Sequence, residues 1–223
     1  MNALAKTICP LCTSSEIKLF FQDKRRSYWR CDNCQLTFVP EQYFLSEAAE
    51  KSEYDLHLND PADQGYRKFL SRLFIPLQEL LPPQSHGLDF GSGPGPTLSV
   101  MFEEFGHKMT IYDKFYADLP ERLKQHYDFI TATEVVEHLH RPRKELNQLW
   151  KSLKPNGYLG IMTKLARDRN AFANWHYKND LTHVLFFSHT TFNWLAEQWH
   201  AELTFIGNDV IILKHSSSHE QTP

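Results

Sequence analysis

LDFGSGPGPT, residues 88–97, sets three glycines at alternate positions directly behind a short apolar run and directly before a helix-forming one. Glycines at 91, 93 and 95 carry no Cβ, so the backbone there can bend sharply and approach a ligand closely, while the helix that follows aims its unpaired N–H groups at that ligand. An acidic residue, Asp113, closes the next apolar run twenty residues after Gly93. That is the place from which a carboxylate accepts hydrogen bonds from ribose hydroxyls. Strand, turn, helix and spaced acid agree on a nucleotide-binding α/β unit.

Outward from this stretch, short apolar runs alternate with helical ones. HGLDFGS is followed by TLSVMFEEFG, KMTIYD, a short helix in LPERLKQH, and YDFITAT. Next come the helix RKELNQLWKSL, the turn KPNG, the strand YLGIMTK, a long irregular insert and the helix TTFNWLAEQWH. Two strands, AELTFIG and DVIILKH, close the chain around Gly207-Asn208-Asp209. Such alternation predicts a parallel sheet with helices on both faces, and the closing hairpin adds an antiparallel strand at one edge. Upstream, Tyr66, Phe69, Leu70, Leu73, Phe74, Leu77, Leu80 and Leu81 recur at i, i+3 and i+4, predicting an amphipathic helix that Pro76 bends and LPP ends.

At 223 residues and 41% hydrophobic, the chain can bury one good core plus a small accessory unit. A net charge of −3 argues against coating nucleic acid with general positive charge. MNALAKTICPLC has no apolar signal core, and no run approaches the roughly 18 apolar residues of a membrane span, so a cytoplasmic protein is expected. The tail at 216–223, SSSHEQTP, is expected to be disordered.

The four cysteines, Cys9, Cys12, Cys31 and Cys34, form CPLC and CDNC. Two C-x2-C knuckles close a tetrahedral four-sulfur site suited to Zn²⁺, and with two strands between them residues 1–38 read as a zinc ribbon. A redox C-x-x-C pair would leave the second knuckle unexplained. The tip KRRSYWR mixes cations with aromatics, which suits either contact with single-stranded nucleic acid or an ordinary solvated hairpin with its aromatics packed inward. Residues 39–62 read as a polar connector with a short helix, and 63–215 as the cofactor-binding domain.

A dinucleotide fold shows G-x-G-x-x-G at such a turn, whereas this one is G-x-G-x-G. It resembles the cofactor turn of class I S-adenosylmethionine-dependent methyltransferases. The resemblance covers residues 63–214, with YDFITATEVVEHLHRP after the fourth strand and LKPNGYLGIMT leading into the fifth. It implies a Rossmann-like α/β sheet with Asp89, Gly91, Gly93 and Gly95 lining the methionine end of S-adenosylmethionine. It also implies Asp113 on the ribose, and Thr133 and Glu134 beside the cofactor. Only thirteen residues, 114–126, separate Asp113 from Tyr127, too few for the family's next helix and third strand. A six-stranded sheet lacking strand three, in the family's order 2-1-4-5-7-6, is therefore expected, with an adenine clamp from Phe115, Tyr116 or Leu119.

TATEVVEHLHRP, residues 131–142, crowds two carboxylates and two imidazoles at the carboxyl edge of the sheet, where open α/β folds bind ligands. If the chain turns helical at Glu134, then Glu134, Glu137 and His138 share one face, and their donors suit Mg²⁺ or Mn²⁺. The run E-x-x-E-H resembles that of ubiquinone-pathway O-methyltransferases and of small-RNA 3′-terminal 2′-O-methyltransferases. In the RNA group a later histidine before an aromatic run completes a metal site, and THVLFFS supplies His183 in that context. The resemblance thus implies catalytic roles for Glu137, His138 and His183, with Glu134 as a fourth ligand. The competing reading pairs Glu137 with His138 as a hydrogen-bonded brace and leaves His140 in solvent; activity without a metal would instead make His183 or His138 a plain general base.

The insert RDRNAFANWHYKNDLTHVLFFS lies where this fold places acceptor-binding residues, with Trp175, His176, Tyr177 and Asp180 as candidates and Phe186 and Phe187 as pocket lining or packing. Three functions follow. The first is O-methylation of a small hydroxylated acceptor, such as a vicinal diol. The second is methylation of RNA docked by the ribbon, since some ribosomal RNA base methyltransferases resemble this chain in carrying one. The third is a non-catalytic S-adenosylmethionine-binding module. The sequence does not address oligomeric state.

Overall fold

The computed structural model describes residues 8–56 and 59–216. In chain order the elements are β1 (Ile17–Gln22), β2 (Ser27–Cys31), β3 (Thr37–Phe38), α1 (Glu47–Tyr54), α2 (Gln64–Gln78), β4 (His86–Phe90), α3 (Thr97–Glu104) and β5 (Lys108–Tyr112). They continue with β6 (Tyr127–Thr133), α4 (Pro142–Lys151), β7 (Leu153–Met162), α5 (Arg169–Ala173), β8 (Leu185–Phe186), α6 (His189–Trp199), β9 (Glu202–Ile206) and β10 (Val210–Lys214). The expected tail, past Ser216, lies outside the described residues.

Six strands make the main sheet in the order β5-β4-β6-β7-β10-β9. This is the expected order with its third strand missing. Between β5 and β6 the described chain forms only the Asp113–Ala117 bridge and a 3-10 turn over Pro120–Lys124. β4, β5, β6 and β7 run parallel, and β10 runs antiparallel between β7 and β9. The reversed strand is therefore one in from the edge, because the chain passes β7 to lay down β9 before turning back.

Local chemistry accounts for the boundaries. Asp63 caps α2 by accepting from the Gly65 and Tyr66 N–H groups, and α2 ends at Gln78, three residues short of the apolar periodicity. KPNG, expected as a turn, is instead the start of β7. Asn156 takes a left-handed φ of +63° and its N–H reaches His215 O at 2.9 Å, so the segment bulges along the chain end rather than reversing.

Each face of the sheet carries a core. Leu70, Leu73, Phe74 and Leu77 of α2 pack with Met101 and Phe102 of α3 on one side. On the other, Leu146, Leu149, Phe192 and Leu195 from α4 and α6 join one continuous cluster with Leu11, Tyr28, Phe38 and Phe186. The cysteine-bearing hairpin thus shares its core with the main domain. A second sheet, in the order β1-β2-β3-β8, makes the same connection through the backbone, with Thr37 opposite Phe186 and Phe38 opposite Leu185. No helix among the described residues is long and apolar enough to cross a membrane.

Candidate active site

The glycine turn follows β4 at the carboxyl edge. Gly91 and Gly93 take φ of +74° and +64°, where an L side chain is strained. A Cβ on Gly91 would lie 2.3 Å from Val135 Cγ2, and one on Gly95 2.1 Å from Asn59 O. The connector therefore crosses the turn, and Thr97 Oγ1 donates to the same Asn59 carbonyl at 2.9 Å. Asp89 is buried behind the turn, accepting from Ser99 Oγ and Thr131 Oγ1 at 3.1 and 2.8 Å. Burial lifts its carboxyl to about 6 in spite of both bonds.

Asp113 works as a hub. Its Oδ2 accepts from Gly93 N–H at 2.9 Å, and its Oδ1 from the Phe115 and Tyr116 N–H groups at 2.8 and 3.1 Å. An ionised carboxylate has about four lone-pair sites, so capacity for a ribose hydroxyl remains. Thr133 Oγ1, at the end of β6, is buried with no partner among the described residues. A spare acceptor on Asp113 and the orphaned Thr133 hydroxyl, beside the glycine turn, fit the polar groups of S-adenosylmethionine.

Past β6 the chain does not turn helical at Glu134. Glu134 takes φ +52° and its N–H bonds to Met162 O at 2.7 Å, after which Val136–His138 make a single 3-10 turn. Glu134 is thereby split from Glu137 and His138, and the ligand atoms that gather within 4.8 Å belong to Glu137, His138 and His183 alone. The expected four-residue metal set loses Glu134. Burial first, then the neighbouring Glu137, raises the Glu134 carboxyl to about 8.

Glu137 is fully buried, accepting from Tyr177 Oη and, at 3.0 Å, from Thr163 Oγ1. His183 Nδ1 faces Tyr177 O at 2.7 Å and His138 Nδ1 faces Thr182 O at 3.2 Å. A carbonyl can only accept, so each Nδ1 carries a proton, and in neutral His183 the lone pair is on Nε2. The rings meet edge-on at 4.7 Å. Burial and then the nearby His138 lower His183 to about 4, so it is neutral at pH 7. Its Nε2 lies 3.7 Å from Asp180 Oδ2. His140, expected in solvent under the brace reading, stacks on Phe44 at 4.4 Å, and its Nε2 lies 2.7 Å from buried Glu50 Oε1, off the line of a hydrogen bond.

The insert contributes unevenly. Tyr177 turns to Glu137 and Asp180 to His183. His176 is exposed beside Lys164, and Trp175 stacks on Tyr177 at 4.9 Å. Phe186 and Phe187 are core, packed on Tyr28 and on Phe192. Phe115 and Tyr116 both reach toward α1, through Tyr54 and Asp55, while Leu119 is exposed. Tyr54 and Thr163 were not legible as site residues. Tyr54 stands edge-on to His138 at 5.4 Å, yet it comes from a polar connector with no motif.

The four cysteines are free thiols whose sulfurs all lie within 4.8 Å, with Cys9–Cys34 at 3.5 Å and Cys12–Cys31 at 3.4 Å. Zn–S bonds of about 2.3 Å in a tetrahedron require sulfurs about 3.8 Å apart, so the set fits a zinc ion.

The fold and this edge define an enzyme that transfers a methyl group from S-adenosylmethionine. A family model described as a methyltransferase domain matches residues 60–203, and the chain belongs to that family. Among solved structures, the 1,6-didemethyltoxoflavin-N1-methyltransferase of Burkholderia thailandensis, with 1,6-didemethyltoxoflavin and S-adenosylhomocysteine bound, matches 88% of this chain and 98% of its own at 15% identity and TM-score 0.52. CalO1, a methyltransferase of calicheamicin biosynthesis in its S-adenosylhomocysteine-bound form, matches 77% of this chain and 59% of its own at 11% identity and TM-score 0.50. At these identities the likeness is one of fold. No curated protein matches the chain.

Proposed function

We propose that the acceptor is a small hydroxylated molecule, methylated on oxygen, that docks against Glu137, His138, Tyr177 and His183. The observation that carries this reading is the convergence of ligand atoms of Glu137, His138 and His183 within 4.8 Å of one another at the carboxyl edge, beside the cofactor turn. S-adenosylmethionine supplies a methyl group already activated on a sulfonium. The chain therefore has to align the acceptor and manage one proton. In the simplest form the acceptor hydroxyl donates to His183 Nε2, and Asp180 Oδ2, 3.7 Å away, balances the charge that the ring gains.

The same three donors suit a divalent cation. Two nitrogens and one carboxylate favour Mn²⁺ over Mg²⁺, which prefers oxygen ligands. Held there, the cation would lower the pKa of a bound hydroxyl. The neighbour with 1,6-didemethyltoxoflavin bound agrees with an acceptor of small-molecule size, and ribose-ring diols and catechols have the required adjacent hydroxyls. The RNA alternative has the ribbon dock the strand, for which its cationic tip would be the contact. Arg26 is buried and Arg30 lies over the Phe20 ring, so the ribbon presents less positive charge than its sequence promised.

Labelled-methyl transfer to a panel of catechols, ribosides and amines, each with EDTA or Mn²⁺, tests the reading. Transfer to a diol that EDTA abolishes and Mn²⁺ restores supports the cation, whereas transfer indifferent to EDTA leaves His183 as general base. Transfer only to amines overturns O-methylation. His183→Ala and Glu137→Gln are expected to lower turnover by at least about 100-fold while S-adenosylhomocysteine still binds.

A further inference from the structure

We propose that Arg26, in the cysteine-bearing hairpin, is a positioning residue that shapes the acceptor side of the site through the backbone of residues 178–181. Arg26 is 3% exposed, in a hairpin tip whose neighbours Lys24 and Arg25 face solvent. Its Nη2 donates to Lys178 O and Asp180 O, both at 2.7 Å, and its Nη1 to Leu181 O at 3.2 Å. The third nitrogen, Nε, donates to Tyr28 Oη at 3.0 Å, and that hydroxyl is itself 3.2 Å from Lys178 O. Three carbonyls from four consecutive residues converge on one guanidinium only if that stretch is folded into a cup around it. A planar fork of five donors can hold such a cup; an ammonium with three donors at one point cannot span it.

What the cup holds is the segment between two residues of the candidate site. Tyr177, directly before it, gives its hydroxyl to Glu137 and its carbonyl to His183 Nδ1. His183 comes two residues after Leu181. On the far side of His183 the hairpin takes hold again, as Val39 N–H donates to Val184 O at 3.0 Å and β3 pairs with β8. The hairpin thus grips both flanks of His183. Val184 N–H also bonds to Glu137 O at 2.9 Å, which ties the gripped segment to the turn that carries Glu137 and His138.

The electrostatics favour a directional role over simple burial. Asp23 accepts from the Arg25 and Arg26 N–H groups and faces the buried Lys178 ammonium at 3.3 Å. One carboxylate thus stands against two buried cations, so much of the stabilisation of Arg26 must come from the three carbonyls. Burying a guanidinium is costly, and an apolar side chain would have filled the space more cheaply without fixing any carbonyl direction.

The assignment of the acceptor side rests on the proposed function, so the test separates the two. Full-length Arg26→Lys, checked for unchanged metal content, is compared with wild type by hydrogen exchange, by S-adenosylhomocysteine calorimetry and by kcat and KM on the best catechol of the panel. Exchange across residues 177–184 is expected to rise about tenfold or more, the scale of one lost charge-assisted bond, while residues 88–97 and 127–133 and the calorimetric Kd stay unchanged. On the catechol, kcat should fall and the cofactor KM should hold. Tyr28→Phe, which keeps the ring and removes one hydroxyl, should show the same local pattern more weakly and serves if the lysine variant does not fold. Unchanged exchange in this segment, a uniform rise along the whole chain, or local loosening with wild-type kcat each overturn the proposal. Should the wild type turn over no catechol, the acceptor reading fails by itself, and the exchange pattern still decides whether Arg26 sets this loop.

Discussion

Glu134 is a non-glycine residue with φ +52°, a conformation that L side chains seldom adopt, held at the point where β6 meets the ligand edge. The family resemblance implied a place beside the cofactor for this residue, but nothing in the sequence pointed to that conformation. The left-handed turn comes from the bond between Glu134 N–H and Met162 O on the neighbouring strand, a partner 28 positions away. Its protonation has a measurable consequence. The folded-state carboxyl titrates at about 8 against an ordinary value of 4.5, so between these pH values the folded chain keeps a proton that the unfolded chain has released. The resulting stability is fully present below pH 4.5 and is lost as pH rises through 8. Thermal unfolding at pH 6 and pH 9 should therefore show a smaller drop in Tm for Glu134→Gln than for wild type, and equal drops would show that Glu134 is not the titrating group. Asp113 makes a second residue-scale prediction. Its acid character was legible from spacing, but its three backbone bonds to Gly93, Phe115 and Tyr116 were not, because they depend on how the loop after β5 folds back. Asp113→Ala should weaken S-adenosylmethionine binding by about 1.5–3 kcal/mol in calorimetry, and an unchanged affinity would remove it from the site.

The elements of the main sheet were readable because each carries its own pattern: apolar runs of five to seven residues, a 3.6-residue stripe in α2, punctuating glycines. Even the missing strand was readable, since thirteen residues cannot hold a helix, a strand and two loops. β3 and β8 were not. Each is two residues long and becomes a strand only by pairing with the other or with β2, so neither has a period to detect. α6 is anchored by a capping box in which Ser188 Oγ accepts from Thr191 N–H at 3.2 Å and Thr191 Oγ1 accepts from Ser188 N–H at 3.3 Å. Because this cap fixes where the insert ends and the core helix begins, Ser188→Ala should cost about 1 kcal/mol in denaturant unfolding. A shift in midpoint below about 0.3 kcal/mol would mean that the Thr191 side chain suffices.

At the scale of the whole molecule, the four-cysteine site is remote from Tyr177 and His183 in sequence yet joined to the insert that carries them by a shared sheet. The spacing of the cysteines announced the site; that its hairpin would be built into the catalytic half could not be read, because Arg26 and Tyr28 look like any cationic, aromatic hairpin tip. Metal analysis of the purified protein should find one zinc. Cys31→Ser should release it and, through β2, β3 and β8, loosen residues 177–187 while S-adenosylhomocysteine binding survives. Loss of cofactor binding in step with the metal would mean that the two halves cannot be separated even this far. The pairing of Thr37 with Phe186 also sets a schedule for synthesis. The hairpin leaves the ribosome first, but its fourth strand follows 149 positions later, about 7–30 s at ordinary elongation rates. For that interval the nascent hairpin presents an open strand edge and an Arg26 that lacks its three carbonyl partners. Chains stalled before residue 185 should be cut by trypsin at Arg26, and full-length released chains should resist it, which makes cleavage at Arg26 a clock for the moment residues 178–181 fold around its guanidinium.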